Sequence, residues 1–167
     1  MEITLKKLEF SMAEELASLA NDPKIAANLT NQFPHPYTLE NAKNFIEMQN
    51  NFVPTRVFGI FYNTQLAGAI GVHPQSDIFC KNAELGYWIA QKYWGLGIAT
   101  SAIKLIVEYG FKEFDINRIF ARPFGYNIAS QKVLEKNGFE LEATLTNTIY
   151  KNGQYTDELI FAIRRKD

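Results

Sequence analysis

The sequence predicts an α/β protein of the α+β type, with a central mixed, mostly antiparallel sheet of about seven strands flanked by helices. Three observations predict it. Segments alternating with the period of a strand and segments with the period of a helix succeed one another in the order β-α-α-β-β-β-α-β-α-β-β. Three strands in succession carry short connections, which demand antiparallel pairing. Only the strands flanking the helix that follows Gly95 have a connection suited to parallel pairing, so the order does not describe a doubly wound fold.

Each element has its own signal. Ile3 to Phe10 alternates as a strand, and Ala13 to Ala20 reads as a helix. Asn21-Asp22-Pro23 reads as a break before a short helical piece around Ile25 to Leu29. Thr38 can cap a helix from Leu39 to about Asn50 that carries Ala42, Phe45, Ile46 and Met48. Val57 to Tyr62 and Gln65 to Val72 are strands joined at Asn63-Thr64. A polar loop, His73 to Lys81, leads to a strand from Asn82 to Ala90, and the loop Gln91 to Gly95 opens a helix reaching about Phe111. Ile98, Ala102, Leu105, Ile106 and Tyr109 keep the helical period there. Arg118 to Arg122 is the next strand. Asn127 starts the last helix, which Asn137-Gly138 ends, with Phe139 free to pack back on it. Asn152-Gly153, between strands Glu140 to Tyr150 and Gln154 to Arg164, is a strong hairpin signal.

A length of 167 residues suits one domain, 1–167, with one substantial core. A formal net charge of -1 gives no support to a nucleic-acid or anionic-membrane partner. Cys80 is the single cysteine, so no intrachain disulfide forms, and no Cys or His cluster has metal-ligand spacing. The N-terminal residues lack the layout of a signal peptide and no apolar run reaches membrane-spanning length, so the expected location is cytoplasmic and no metal is expected.

The best chemical signal is Lys92-Tyr93-Trp94-Gly95-Leu96-Gly97-Ile98-Ala99-Thr100. Glycines between a strand and a helix let several backbone N–H groups converge at the positive end of the helix, a setting for phosphate or pyrophosphate. The Thr100 hydroxyl can add a donor. A strand-to-helix turn that needs glycine only for its backbone angles fits the same residues. A dinucleotide fingerprint does not, because Thr100 stands where its third glycine belongs and the next strand ends at Phe120-Ala121-Arg122 without an acid.

Asn82-Ala83-Glu84-Leu85-Gly86-Tyr87-Trp88-Ile89-Ala90 followed by Tyr93 to Thr100 resembles the acetyl-CoA motif of the GNAT superfamily, closest to its RimJ/RimL-type branch of ribosomal-protein N-terminal acetyltransferases. Asn127-Ile128-Ala129-Ser130 through Gly138-Phe139 resembles that branch's second motif, and Ile149 to Tyr155 is also similar to it. Lys92 departs from the usual Gln or Arg three residues before the first glycine, and Thr146 from an Arg carried by many relatives.

The resemblance implies the GNAT fold, acetyl-CoA as cosubstrate, and direct attack of a bound amine on the thioester. It implies that main-chain groups of Trp88, Ile89 and Ala90 pair with the pantetheine arm, with the Ile89 N–H polarising the thioester oxygen. The pyrophosphate then lies on Gly95, Leu96, Gly97, Ile98, Ala99 and Thr100, beside Lys92 and Trp94. Asn127 matches an asparagine that contacts pantetheine and equally suits a helix cap. Ser130 matches the serine proposed in that branch to protonate the leaving thiolate and equally suits an exposed first-turn serine, and Glu84 is the candidate base, directly or through water. A partly buried structural carboxylate would fit the Glu84 position as well. Phe33, Tyr37 and Trp88 are candidates for the acceptor pocket and equally for core. The expected acceptor is a protein or peptide N-terminal amine; a small-molecule amine and a non-catalytic CoA-binding module are the alternatives. Homodimers are common in this branch.

Overall fold

The computed structural model describes all 167 residues. Its seven strands are β1 (Ile3–Lys7), β2 (Val57–Tyr62), β3 (Gln65–Pro74), β4 (Asn82–Ile89), β5 (Arg118–Ala121), β6 (Glu140–Lys151) and β7 (Gln154–Arg164). Five α-helices accompany them: α1 (Ala13–Ala20), α2 (Pro23–Ala26), α3 (Leu39–Asn50), α4 (Ile98–Glu113) and α5 (Ile128–Lys136). The strands form one sheet in the order β1-β2-β3-β4-β5-β7-β6. Only β4 and β5 pair in parallel, with Asn82 opposite Arg118, Ala83 opposite Ile119 and Glu84 opposite Phe120. The mixed, mostly antiparallel sheet expected from the sequence is thus present. No helix is long and apolar enough to cross a membrane.

The chain divides into two compact units, Met1–Gly71 with Tyr87–Ala102, and Val72–Gly86 with Ile103–Asp167. In the first, the apolar faces of α1 and α3 supply Leu16, Ala17, Ala20, Ala42 and Ile46 to a core that also takes Leu8, Val57, Phe61 and Leu66. The start of α3 is fixed by a capping box: the Thr38 hydroxyl accepts from the Asn41 N–H at 3.1 Å, and Asn41 Oδ1 accepts from the Thr38 N–H at 2.8 Å. In the second unit, Ala83, Leu85, Ile119 and Phe161 are buried strand residues, and Ile103, Ile106 and Leu134 are buried helix residues.

Three local readings change. Asn21-Asp22-Pro23 starts a helix rather than merely ending one, because the Asp22 carboxylate accepts from the Lys24 N–H at 2.9 Å and Pro23 takes the first helical position. The first strand stops at Lys7, and Phe10–Met12 forms a 3₁₀ turn. His73 lies within β3 rather than in a loop, since the ladder runs on until the Gln75 N–H donates to the Asn82 carbonyl at 2.9 Å.

Candidate active site

β4 leads through a 3₁₀ turn, Gln91–Tyr93, into the two glycines, and α4 begins at Ile98. Gly95 and Gly97 have φ of 78° and 76°. Residues with a Cβ resist this left-handed conformation by about 1–2 kcal/mol. A Cβ on either glycine would meet nothing within 4 Å, so the demand is conformational and the turn is open outward. The helical ladder begins with the Ser101 N–H donating to the Gly97 carbonyl at 3.3 Å. The first-turn N–H groups of Ile98, Ala99 and Thr100 therefore have no carbonyl one turn before them and face the turn. From Gln91 to Ser101 there is no acidic side chain to oppose an anion. Residues Lys92 and Gly95 to Thr100 fit a diphosphate.

The turn is anchored to the strand it leaves. Trp94 donates its indole N–H to the Ile89 carbonyl at 2.7 Å, and the Tyr93 N–H bonds the Ala90 carbonyl at 2.9 Å. The Ala90 N–H donates to the Ala67 carbonyl at 2.8 Å, so both main-chain groups of Ala90 already hold partners. Gly68 lies against Trp88, where a Cβ would stand 2.1 Å from the Trp88 carbonyl oxygen. The parallel β4–β5 register runs over Asn82, Ala83 and Glu84.

The candidate acceptor residues of the first unit do meet. Phe33 and Tyr37 rings are 5.0 Å apart, and Phe33 and Trp88 rings 5.9 Å in an edge-to-face pair. Tyr37 is only 7% exposed and belongs to the core, while Phe33 and Trp88 pack against it partly buried. Burial pushes the Tyr37 phenol up to about 12.

In the second unit, Glu84 is not a lone carboxylate. Arg122 grips it with two hydrogen bonds, Nε to Oε2 at 2.7 Å and Nη2 to Oε1 at 3.2 Å. The same guanidinium places Nη1 3.6 Å from Glu158 Oε1. The hydrogen bond to Glu84, opposed by partial burial, raises the affinity of Arg122 for its proton above the usual arginine value. Arg122 and Glu158 also line a cavity of about 430 Å³ with Phe79, Arg118 and Phe120. The sequence reading did not single out Arg122 or Glu158. Strand alternation held a signal: with Glu84 opposite Phe120, Arg122, two residues further and just past the end of β5, continues on that face.

Asn127 caps α5, its side-chain oxygen accepting from the Ser130 N–H at 3.2 Å. A capping oxygen leaves the amide nitrogen free to donate elsewhere, so the cap and a ligand contact are compatible. Ser130 stands in the first turn of that helix. No three His, Cys, Asp or Glu side chains come together as a metal site.

A family model of the acetyltransferase (GNAT) domain matches residues 2–140. The chain belongs to the GNAT acetyltransferase family. An uncharacterized N-acetyltransferase of Bacillus licheniformis is 27% identical over 99% of this chain and 94% of its own length. The ribosomal-protein-serine acetyltransferase of Escherichia coli is 28% identical over 64% of this chain, a stretch covering 59% of that enzyme. Among solved structures, the microcin self-immunity acetyltransferase MccE in complex with acetyl-CoA and AMP is 30% identical, covers 98% of this chain and 93% of its own, and superposes with a TM-score of 0.82. The chain's chemistry is that of its family, the transfer of an acetyl group from acetyl-CoA to an amine, and an enzyme named for acetylating ribosomal protein is among the relatives it resembles.

Proposed function

We propose that the acceptor is a protein or peptide N-terminal α-amine, acetylated by direct attack, and that residues 1–167 act as one GNAT domain. The observation that carries the acetyl-CoA part of the reading is the turn at Gly95 and Gly97, left-handed at both glycines, open outward, and set at the N-terminus of α4. Acetyl-CoA supplies the acetyl group and a thiolate that leaves. The N–H groups at Ile98, Ala99 and Thr100, flanked by Lys92, Trp94 and Leu96, hold its pyrophosphate; Trp88, Ile89 and Asn127 hold its pantetheine arm. The remaining lone pair of the Ala90 carbonyl is the acceptor that residue can still offer.

The chemistry of the two nucleophile classes favours an α-amine. With a reference pKa of about 8, an α-amine is roughly a tenth neutral at pH 7, whereas a lysine-type amine near 10.4 is about a thousandfold disfavoured. The first asks little of a base. Glu84 takes the proton of the attacking amine, directly or through water; Arg122 occupies one lone pair of each of its oxygens, and a carboxylate has about four. Ser130 gives its proton to the departing thiolate, a modest aid because a thiol with a pKa of about 8.5 leaves readily. Phe33 and Trp88, backed by buried Tyr37, form the apolar side of the acceptor pocket. The name of the ribosomal-protein-serine acetyltransferase of E. coli supports a protein acceptor, while that of the spermidine acetyltransferase of the same organism, similar over half of this chain, marks the small amine as the rival to test.

The test is the rate of CoA release from acetyl-CoA against short peptides with varied N-terminal residues, polyamines and aminoglycosides. Turnover with peptides alone is the expected result. Turnover confined to polyamines or aminoglycosides overturns the acceptor assignment. No turnover with any of them, despite acetyl-CoA raising the melting temperature, favours a binding module.

A further inference from the structure

The Glu84–Arg122–Glu158 arrangement carries an inference of its own, which rests on the reading of Glu84 as the base. A carboxylate at a strand position free of side-chain partners would rotate about its χ angles, and base catalysis loses rate steeply as the accepting oxygen leaves the line of the proton. Glu84 does not rotate freely. A guanidinium is planar and offers paired donors in a fixed fork, so the two bonds from Arg122 set both the direction and the plane of the carboxylate. Arg122 is itself held from the other side. Glu158, 14% exposed on its side chain and carried by β7, lies 3.6 Å from the Arg122 nitrogen that Glu84 does not use. Neighbouring Arg118 does not compete for Glu84, because its guanidinium binds Glu142 at 2.7 and 3.0 Å and the Asn82 side chain at 2.9 Å.

We propose that Arg122 is the positioning residue of the reaction, fixing the carboxylate of Glu84 for proton transfer while Glu158 anchors the far side of the guanidinium. One arginine between two carboxylates gives the group a net charge of -1 at neutral pH, from the residue types. An amine approaching as its ammonium form therefore meets a favourable field. The proton that leaves the amine nitrogen ends on a Glu84 oxygen or on the water between them; the guanidinium keeps its own protons throughout, since arginine is not deprotonated in proteins.

A double-mutant cycle on acceptor turnover tests this. Arg122→Met is expected to lower kcat/KM about tenfold when Glu84 is present and less than twofold in a Glu84→Gln background, because residues acting as a unit are not additive. Arg122→Lys, which keeps the charge and loses the fork, recovers only part of the rate. Glu158→Gln lowers the rate by a smaller factor than Arg122→Met. An equal loss from Arg122→Met in both backgrounds, with a fallen melting temperature, would mean that the arginine only supports the sheet, and the proposal fails. Full activity in Arg122→Lys overturns the fork as the cause. A Glu84→Gln enzyme as fast as the parent refutes the base assignment beneath the proposal, an outcome separate from either.

Discussion

The indole nitrogen of Trp94 lies 2.7 Å from the carbonyl oxygen of Ile89, so a side chain of the glycine turn is tied to the last residue of the strand before it. That tie fixes the turn relative to the strand. Trp94 is nevertheless 44% exposed, more than an indole kept only for packing would be. Trp94→Phe keeps the ring and deletes the N–H. A neutral hydrogen bond contributes about 0.5–1.5 kcal/mol, which corresponds to a two- to tenfold weaker acetyl-CoA affinity if the turn loosens. Isothermal titration of acetyl-CoA into both proteins reads it. An unchanged dissociation constant would mean that the turn holds its shape without the indole.

Gly97→Ala separates backbone conformation from packing. Its φ of 76° strains any residue with a Cβ, yet no neighbour lies within 4 Å of the added atom. The folding cost is then about 1–2 kcal/mol, a fall of roughly 2–8 °C in melting temperature for a chain of this size. Acetyl-CoA affinity is expected to fall by more than stability does, since the methyl group occupies the face on which the diphosphate rests. Melting curves with and without acetyl-CoA measure both; a ligand-induced shift as large as in the parent protein refutes the site.

Gly68→Ala makes the opposite demand. The added Cβ would stand 2.1 Å from the Trp88 carbonyl oxygen and 3.1 Å from the Ile89 Cα, both backbone atoms that cannot swing away. Strand β3 or the end of β4 must shift, at a cost of about 2–4 kcal/mol or more, in the range of severe overpacking. A fall of roughly 5 °C or more in melting temperature is expected. A variant that melts with the parent would show that the two strands have room for a methyl group at this position.

What was legible in the sequence follows from how local each cause is. Asn152-Gly153 announces a hairpin because both residues accept positive φ, and they have it, at 53° and 77°. The Thr38 cap and the left-handed backbone at Gly95 and Gly97 are equally local in cause. Asp22-Pro23 was also local but ambiguous: the same pair that ends one helix starts the next. The extension of β3 through His73 depends on a partner across the sheet, which no window of neighbouring residues contains. Arg122 is the sharpest case. Its bond to Glu84 joins residues 38 positions apart and requires both the parallel pairing of β4 with β5 and its register. Gly68 carried an unused sign, since a glycine inside a strand marks close backbone approach.

Tyr37 gives a prediction in pH. Its phenol is pushed up to about 12 by burial in the first unit's core, against an ordinary value near 10 in the unfolded chain. The folded state therefore holds the proton more tightly than the unfolded state. Stability from this group is complete below pH 10 and is lost as pH rises from about 10 through 12, where the unfolded chain ionises first. At 7% exposure the environment is dry enough for the shift to count, and the loss amounts to about 2 kcal/mol over that window. Tyr37→Phe removes the ionisable group while keeping the ring against Phe33. Urea unfolding of both proteins at pH 8, 10 and 11.5 is the measurement. The gap between them should move toward the Phe variant by 1 kcal/mol or more between pH 10 and 11.5, on the order set by a shift of this size. A gap constant across all three values would show that the hydroxyl reaches water when the protein is folded, and that Tyr37 lines an open acceptor pocket rather than the core.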